Sequence, residues 1–169
     1  MAEAAAFCPQ VGILHYLVSY PDTDAGGVVN HGRYIDMAER ARHHLLKSMG
    51  LPYATLSKDH DTQLMVHRIN ATYQSSAVFE DSLLLKTSIS SCSAARTIWK
   101  TQICRGDAVL ATVSAELAAL NASTGAIKRH PDILLEKLVP FLESPSESTT
   151  AQAAARRSPK HRVPRPPLV

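Results

Sequence analysis

A chain of 169 residues, 45% hydrophobic and 20% charged, has length for one ordinary core and no apolar run long enough to span a bilayer. The formal net charge of +3 comes entirely from residues 143–169, where Arg156, Arg157, Lys160, Arg162 and Arg165 outnumber Glu143 and Glu147. Residues 1–142 are electrically balanced, which excludes the basic footprint of a nucleic-acid-binding domain.

Residues 143–169 are rich in Pro, Ser and Ala and poor in large aliphatic side chains. Such a stretch cannot bury enough apolar surface to offset its ordering entropy and is expected to be a disordered tail. The folded domain is expected over 1–142. Cys8, Cys92 and Cys104 are odd in number and stand in no metal-ligand spacing, as expected for free thiols in a reducing compartment. The N-terminus lacks the basic and apolar regions of a signal peptide, so a soluble, cytoplasmic protein is expected.

Val11 to Tyr20 is rich in β-branched, aromatic and apolar residues and reads as a first strand. From Asn30 the period changes. Tyr34, Met37, Ala38, Ala41, Leu45 and Met49 line one face at helical spacing, with Arg33, Asp36, Arg40, His43 and Lys47 opposite. Asn30 is suited to cap this helix, and Gly50 followed by Pro52 to end it. Pro52 to Asp61 reads as a loop or short turn. Four strands follow, at Gln63–Tyr73, Ser82–Ser91, Arg96–Arg105 and Ala108–Leu120, the first alternating imperfectly. Short links between them predict an antiparallel meander. A short helix closes the domain from about Pro131 to Leu138, with proline in its first turn. Trp99 and Met65 are expected in the core. One helix and this sheet must bury the helical stripe against the sheet, giving an α+β domain. An exposed edge strand would invite a second copy, so a homodimer is a natural outcome.

Between the first strand and the helix lies Tyr20-Pro21-Asp22-Thr23-Asp24-Ala25-Gly26-Gly27-Val28-Val29-Asn30-His31. Carboxylates held against apolar walls are costly unless something there uses them, glycines let backbone approach a ligand, and a helix start offers unpaired N–H groups. Acid, pliable backbone and helix dipole converge on one place. The acidic spacing begins like a calcium loop, but its twelfth position is Arg33 where a bidentate Glu is needed. No Gly-Lys-Ser/Thr phosphate loop and no Gly-x-Ser-x-Gly nucleophile elbow occurs in the chain. A purely structural role, with Asp22 and Asp24 forming Asx-turns, remains open on the residues alone. His43 and His44 are adjacent and cannot share a helix face as metal ligands, and Asp59-His60-Asp61 reads as a solvated cluster. No metal site is expected.

The motif Tyr20-x-Asp22-Thr23-Asp24-Ala25-Gly26-Gly27-Val28-Val29-x-His31-x-x-Tyr34-x-x-x-Ala38-Glu39-x-Ala41-Arg42 resembles the signature of YbgC-type acyl-CoA thioesterases, in the 4-hydroxybenzoyl-CoA branch of the hot-dog superfamily. Looser similarity runs through Arg68-Ile69, Tyr73, Phe79-x-Asp81-x-Leu83, Gln102-x-x-Arg105 and Arg129-x-Pro131, covering roughly residues 11–138. Asn30 stands where the family usually has an aromatic residue, and Ser75-Ser76 where a proline-containing run is common. The resemblance implies a hot-dog fold, an antiparallel sheet wrapped around one long central helix, and hydrolysis of acyl-CoA without metal or cofactor. It implies Asp24 as catalytic carboxylate, nucleophile or general base, with Tyr20 and His31 as assistants and Asp22 shaping the turn. Backbone N–H groups around Val29, Asn30 and His31 would stabilise the oxyanion. Arg96, Lys128 and Arg129 are candidates to meet the phosphates of coenzyme A. A homodimer or homotetramer with sites at the interface is implied. The alternatives are a hot-dog hydratase or dehydratase, and a non-catalytic acyl-CoA-binding or Tol–Pal-associated protein touching cell-envelope components.

Overall fold

The computed structural model describes residues 9–143; Cys8 and all of the expected tail except Glu143, which bonds to Ser88 and Lys100, lie outside them. Eight elements follow in chain order: β1 (Gly12–Leu17), α1 (His31–Ser48), α2 (Tyr53–His60), β2 (Thr62–Tyr73), β3 (Ser82–Cys92), β4 (Arg96–Arg105), β5 (Ala108–Asn121) and α3 (Asp132–Leu138). Short 3-10 turns stand at Tyr20–Asp22 and Val139–Phe141. All five strands form one antiparallel sheet in the order β1-β3-β4-β5-β2.

Helix α1 lies across this sheet, and the periodicity that predicts it also orients it. Tyr34, Met37, Ala38 and Ala41 pack with Leu83, Leu85, Ile103 and Val113. One turn further, Leu45 and Leu46 join a second cluster with Ile89, Trp99, Leu117 and Leu138. Alternation on β3 to β5 supplies the opposing wall, and the Trp99 indole N–H is satisfied at 2.9 Å by Thr97 Oγ1. Asn30 caps α1 as predicted, its Oδ1 accepting the Gly32 amide at 2.9 Å.

Three expectations need correction. Residues 53–60 are helix α2, not a loop. Its anchor is Leu56, fully buried under α1, and a single apolar anchor in eight residues leaves almost no periodic signal. The strands are also not a simple meander, because β2 pairs with β5 and leaves β3 on the far side. The link over residues 74–81 can cross two intervening strands, since a step of about 14 Å is well within its reach. Third, Met65 is 45% exposed rather than in the core. It lies on β2, one of the two edge strands, whose register shifts between Val66 and Arg68. That bulge is the physical source of the imperfect alternation in the sequence.

The outer side of β2 is unpaired among the described residues, and Met65, Val66, Ile69 and Tyr73 stand exposed along it. No helix of the described residues is long and apolar enough to cross a membrane.

His130, in the approach to α3, is 3% exposed, and neither ring nitrogen has a hydrogen-bond partner among the described residues. Burial holds its pKa below the ordinary histidine value. The unfolded chain therefore takes up a proton as pH falls through about 6.5, while the folded state stays neutral. Stability is complete above that pH and declines below it. Urea unfolding between neutral and mildly acidic pH is expected to show this decline in the wild type and a flatter profile in His130→Leu.

Candidate active site

The loop between β1 and α1 is built on Asp22. Its carboxylate is 5% exposed and accepts bonds from the Ser19 amide at 2.9 Å, the Ser19 hydroxyl at 2.8 Å and the Tyr16 hydroxyl at 3.0 Å. Arg33 Nε stands 3.8 Å away. Burial pulls this carboxyl upward, but the bonds from Ser19 and Tyr16 and the Arg33 charge outweigh it, so its pKa lies below the ordinary value. The Asp22 carbonyl also accepts the Asn30 amide at 2.9 Å, tying the loop's entry to the helix cap.

Asp24 is different in kind. Thr23 and Val29 form an isolated bridge, and the Asp24 amide donates to Val28 O at 2.9 Å, so Asp24 sits at the shoulder of a tight excursion. Gly27 closes the excursion with φ of +75°, where a side chain is strained. Gly26 donates its amide to Asp24 Oδ1 at 2.8 Å, and a Cβ there would stand 3.1 Å from the same oxygen. Asp24 Oδ2 has no partner among the described residues. The carboxylate is exposed and lines a cleft of about 540 Å³ with Tyr20, Thr23, Ala25, Gly27 and Phe79. Asp22 is thus a structural anion, and Asp24 an available one.

Tyr20 and Asp24 share this cleft, and Tyr20, 79% exposed, meets Phe79 edge to face with centroids 6.5 Å apart. His31 is exposed at the first position of α1, and its side chain makes no hydrogen bond among the described residues. Its carbonyl accepts the Tyr73 hydroxyl at 3.0 Å. Among the three residues expected to offer amides to an oxyanion, two are already committed. Val29 N donates to Ala77 O at 2.8 Å and Asn30 N to Asp22 O at 2.9 Å. The His31 amide alone has no acceptor among the described residues.

Arg96, Lys128 and Arg129 do not converge on this cleft. Arg96 pairs with Ala118 in the sheet, at the end opposite to the Leu17–Ser82 and Tyr73–Ala111 pairs that flank the loop. Its guanidinium is engaged by Glu116 at 2.7 Å, and Lys128 Nζ donates to the carbonyls of His60 and Asp61. Arg129 is exposed and has no ion pair among the described residues. Phe79 was not foreseen in the cleft. Its signal was the Phe79-x-Asp81 pair, in which Asp81 accepts the Val78 amide and an ion pair from Arg105 at 2.7 Å, fixing the turn that presents the ring. No cluster of three metal-ligating side chains occurs among the described residues.

The profile of the thioesterase-like superfamily matches residues 18–138, spanning the cleft, α1 and the whole sheet from β2 onward. The chain belongs to the thioesterase-like superfamily. Within that family it is 30% identical over 104 residues to a protein named acyl-CoA thioesterase YbgC from Haemophilus influenzae, covering 62% of this chain and 76% of the relative. It is 28% identical over 122 residues to acyl-CoA thioester hydrolase YbgC of Escherichia coli O6:H1, covering 72% and 88%. A probable thioesterase from Bartonella henselae superposes with a TM-score of 0.68 at 28% identity, over 72% of this chain and 100% of that one. The hot-dog fold and the YbgC-type resemblance are both borne out.

The two acids of the motif separate by their bonding. Asp22→Asn is expected to lose about 2–3 kcal/mol of stability, because an ionised acceptor of several buried bonds is replaced. Asp24→Asn should stay within about 0.5 kcal/mol of wild type, since an amide oxygen can still accept the Gly26 N–H. Urea unfolding of both variants checks the contrast.

Proposed function

We propose that this protein hydrolyses acyl-CoA thioesters, releasing the free acid and coenzyme A, with Asp24 as the catalytic carboxylate. The observation that carries the reading is the unpartnered Oδ2 of Asp24, held in an open cleft beside the start of α1, in a chain of this family. The YbgC relatives, named for acyl-CoA hydrolysis, support the substrate class.

A thioester carbonyl placed at the start of α1 would direct its oxygen to the His31 amide, whose fixed dipole and helix end stabilise negative charge as it develops. Two routes use the same carboxylate. As general base, Asp24 takes a proton from a water whose oxygen bonds to the carbonyl carbon; the C–S bond then breaks and the thiolate collects a proton. As nucleophile, Asp24 bonds to the carbonyl carbon and expels the thiolate, and water cleaves the resulting anhydride. Tyr20, which lines the same cleft, would hold water or Asp24 through its hydroxyl. The His31 ring is solvent-facing and suited to proton exchange.

The oligomer proposed is a homodimer through β2. Its long unpaired edge with four exposed apolar side chains is the kind of surface that adds a strand from a second copy. Antiparallel pairing about the middle of β2 sets the Thr62 end of one protomer beside the Tyr73 end of its partner. The opposite sheet end, with Arg129 free to meet phosphate, then stands near the partner's Asp24 cleft. The site of action proposed is the cytoplasm. The competing reading, an acyl-CoA-binding protein at the cell envelope, draws only on the basic residues after Glu143.

Coenzyme A release, followed with a thiol reagent over aliphatic and aromatic acyl-CoAs, is expected to fall on the order of 10²-fold or more in kcat for Asp24→Asn, with KM little changed. Undiminished hydrolysis by that variant would remove Asp24 from the mechanism, and binding without hydrolysis in the wild type would favour the envelope reading. In a single turnover in ¹⁸O-water, label in Asp24 identifies the nucleophilic route, because it arises only when water attacks the Asp24 carbonyl of the anhydride. Ile69→Lys on the β2 edge should shift the protein toward monomer in sedimentation velocity.

A further inference from the structure

A second cavity, of about 720 Å³, runs between α1, α2 and β2, away from the Asp24 cleft. Arg42 of α1 lines it, on the apolar side of the helix, and is only 5% exposed. A buried guanidinium is ordinarily matched by a carboxylate. Here the side chain makes one hydrogen bond, from Nε to the Tyr53 hydroxyl oxygen at 3.0 Å, and no ion pair among the described residues. Glu39, one helical turn before it on the same cavity wall, lies beyond ion-pair distance. The two Nη groups have no acceptor among the described residues and are not sealed from solvent, so they open into the cavity.

Tyr53 completes the donor set. Its oxygen already accepts from Arg42, which leaves its own hydrogen to donate, and its ring is fixed edge to face on His43 with centroids 4.4 Å apart. The rest of the wall is mixed, with Leu64, Met65 and Val66 from β2 beside Ser57, Thr62 and Gln63. One planar cation and one hydroxyl donor beside the apolar side chains of Leu64, Met65 and Val66 match a single small anion on an aliphatic stem. A single cation is too little to match the several charges of a nucleotide diphosphate.

We propose that this cavity receives the acyl group of the substrate and that Arg42, with Tyr53, selects acyl chains ending in a carboxylate. The inference rests on the thioesterase reading above. Arg42 lies eleven residues after His31, about 16 Å along the helix, so within one protomer only a long acyl chain spans from cleft to guanidinium. In the antiparallel β2 dimer proposed above, the cavity of one protomer would face toward the cleft of its partner and bring shorter chains within reach. The bidentate fork of arginine suits a carboxylate in a way that lysine does not.

The test compares kcat/KM for carboxylate-ended and methyl-ended acyl-CoAs of matched length: succinyl against butyryl, adipoyl against hexanoyl, sebacoyl against decanoyl. The wild type is expected to prefer the carboxylate-ended member of at least one pair by 10-fold or more. That preference should fall to near unity in Arg42→Met and be partly kept in Arg42→Lys. No preference in the wild type, or a preference untouched by Arg42→Met, overturns the proposal. So does loss of the dimer in Arg42→Met, because the guanidinium would then be serving a carboxylate of the partner subunit. If Arg42→Met does not fold, Tyr53→Phe takes its place, with a several-fold loss of the same preference expected and an unchanged one overturning it. Calorimetry with free succinate, adipate and sebacate is a readout independent of hydrolysis. Binding weakened 10-fold or more by Arg42→Met sustains the anion site even if no thioester is cleaved, and no binding overturns it. Coenzyme A alone serves as the phosphate control, and an equal weakening of its binding by Arg42→Met would assign the guanidinium to phosphate and sink the proposal.

Discussion

The buried carboxylate of Asp22 is the constraint on which the site depends. It gathers the Tyr16 hydroxyl from β1, both donors of Ser19 and the charge of Arg33 from α1, while its carbonyl holds the Asn30 amide. A negative charge in that position is stable only because every neighbour is a donor or a cation. The strand, the 3-10 turn and the first turn of the helix are thereby brought into one geometry. Asp24, two residues later, inherits its position from this arrangement and makes almost no contribution to it. The labour is divided: one acid is satisfied so that the other can be left unsatisfied.

Much of this was legible in the residues, and the parts that were not have identifiable causes. Helix α1 was readable because its stripe from Tyr34 to Leu45 repeats for several turns between a capping Asn30 and a terminating Gly50. Helix α2 was hidden because only Leu56 carries its burial. The strands were visible but their order was not, since alternation on β2 says which face is apolar and nothing about which neighbour it joins. The motif singled out the loop between β1 and α1, and its unequal acids were separable only by resemblance until the bonding of Asp22 was in view. Two of the expected oxyanion amides proved to be committed to Ala77 and Asp22, because a backbone N–H carries no mark of its partner in the sequence. Arg42 stood in the motif without a role, and what makes it informative is the lack of a carboxylate beside it, which is a property of space and not of spacing.

Exposure on β2 and the Arg42 cavity belong to the same architectural choice. A hot-dog sheet places its helix over the middle strands and leaves one long edge only partly covered. α2 shelters the first residues of β2, where Thr62 and Leu64 are buried, and beyond the bulge the strand runs uncovered. The cavity forms at the transition between these two regimes, roofed by helices on one side and bordered by the open edge on the other.

The crossing link at residues 74–81 has a kinetic consequence. Ala77 donates its amide to the Tyr34 hydroxyl at 2.9 Å across 43 residues of sequence, and its carbonyl takes the Val29 amide. The start of α1 is therefore fastened by chain that arrives only after α2 and β2. Contacts of such separation are entropically expensive to close and form late. The Asp24 loop is correspondingly expected to order after the central strands, and loosening of that single link would release it while those strands stay folded. Persistence of the cleft is thus governed by a residue with no chemistry of its own.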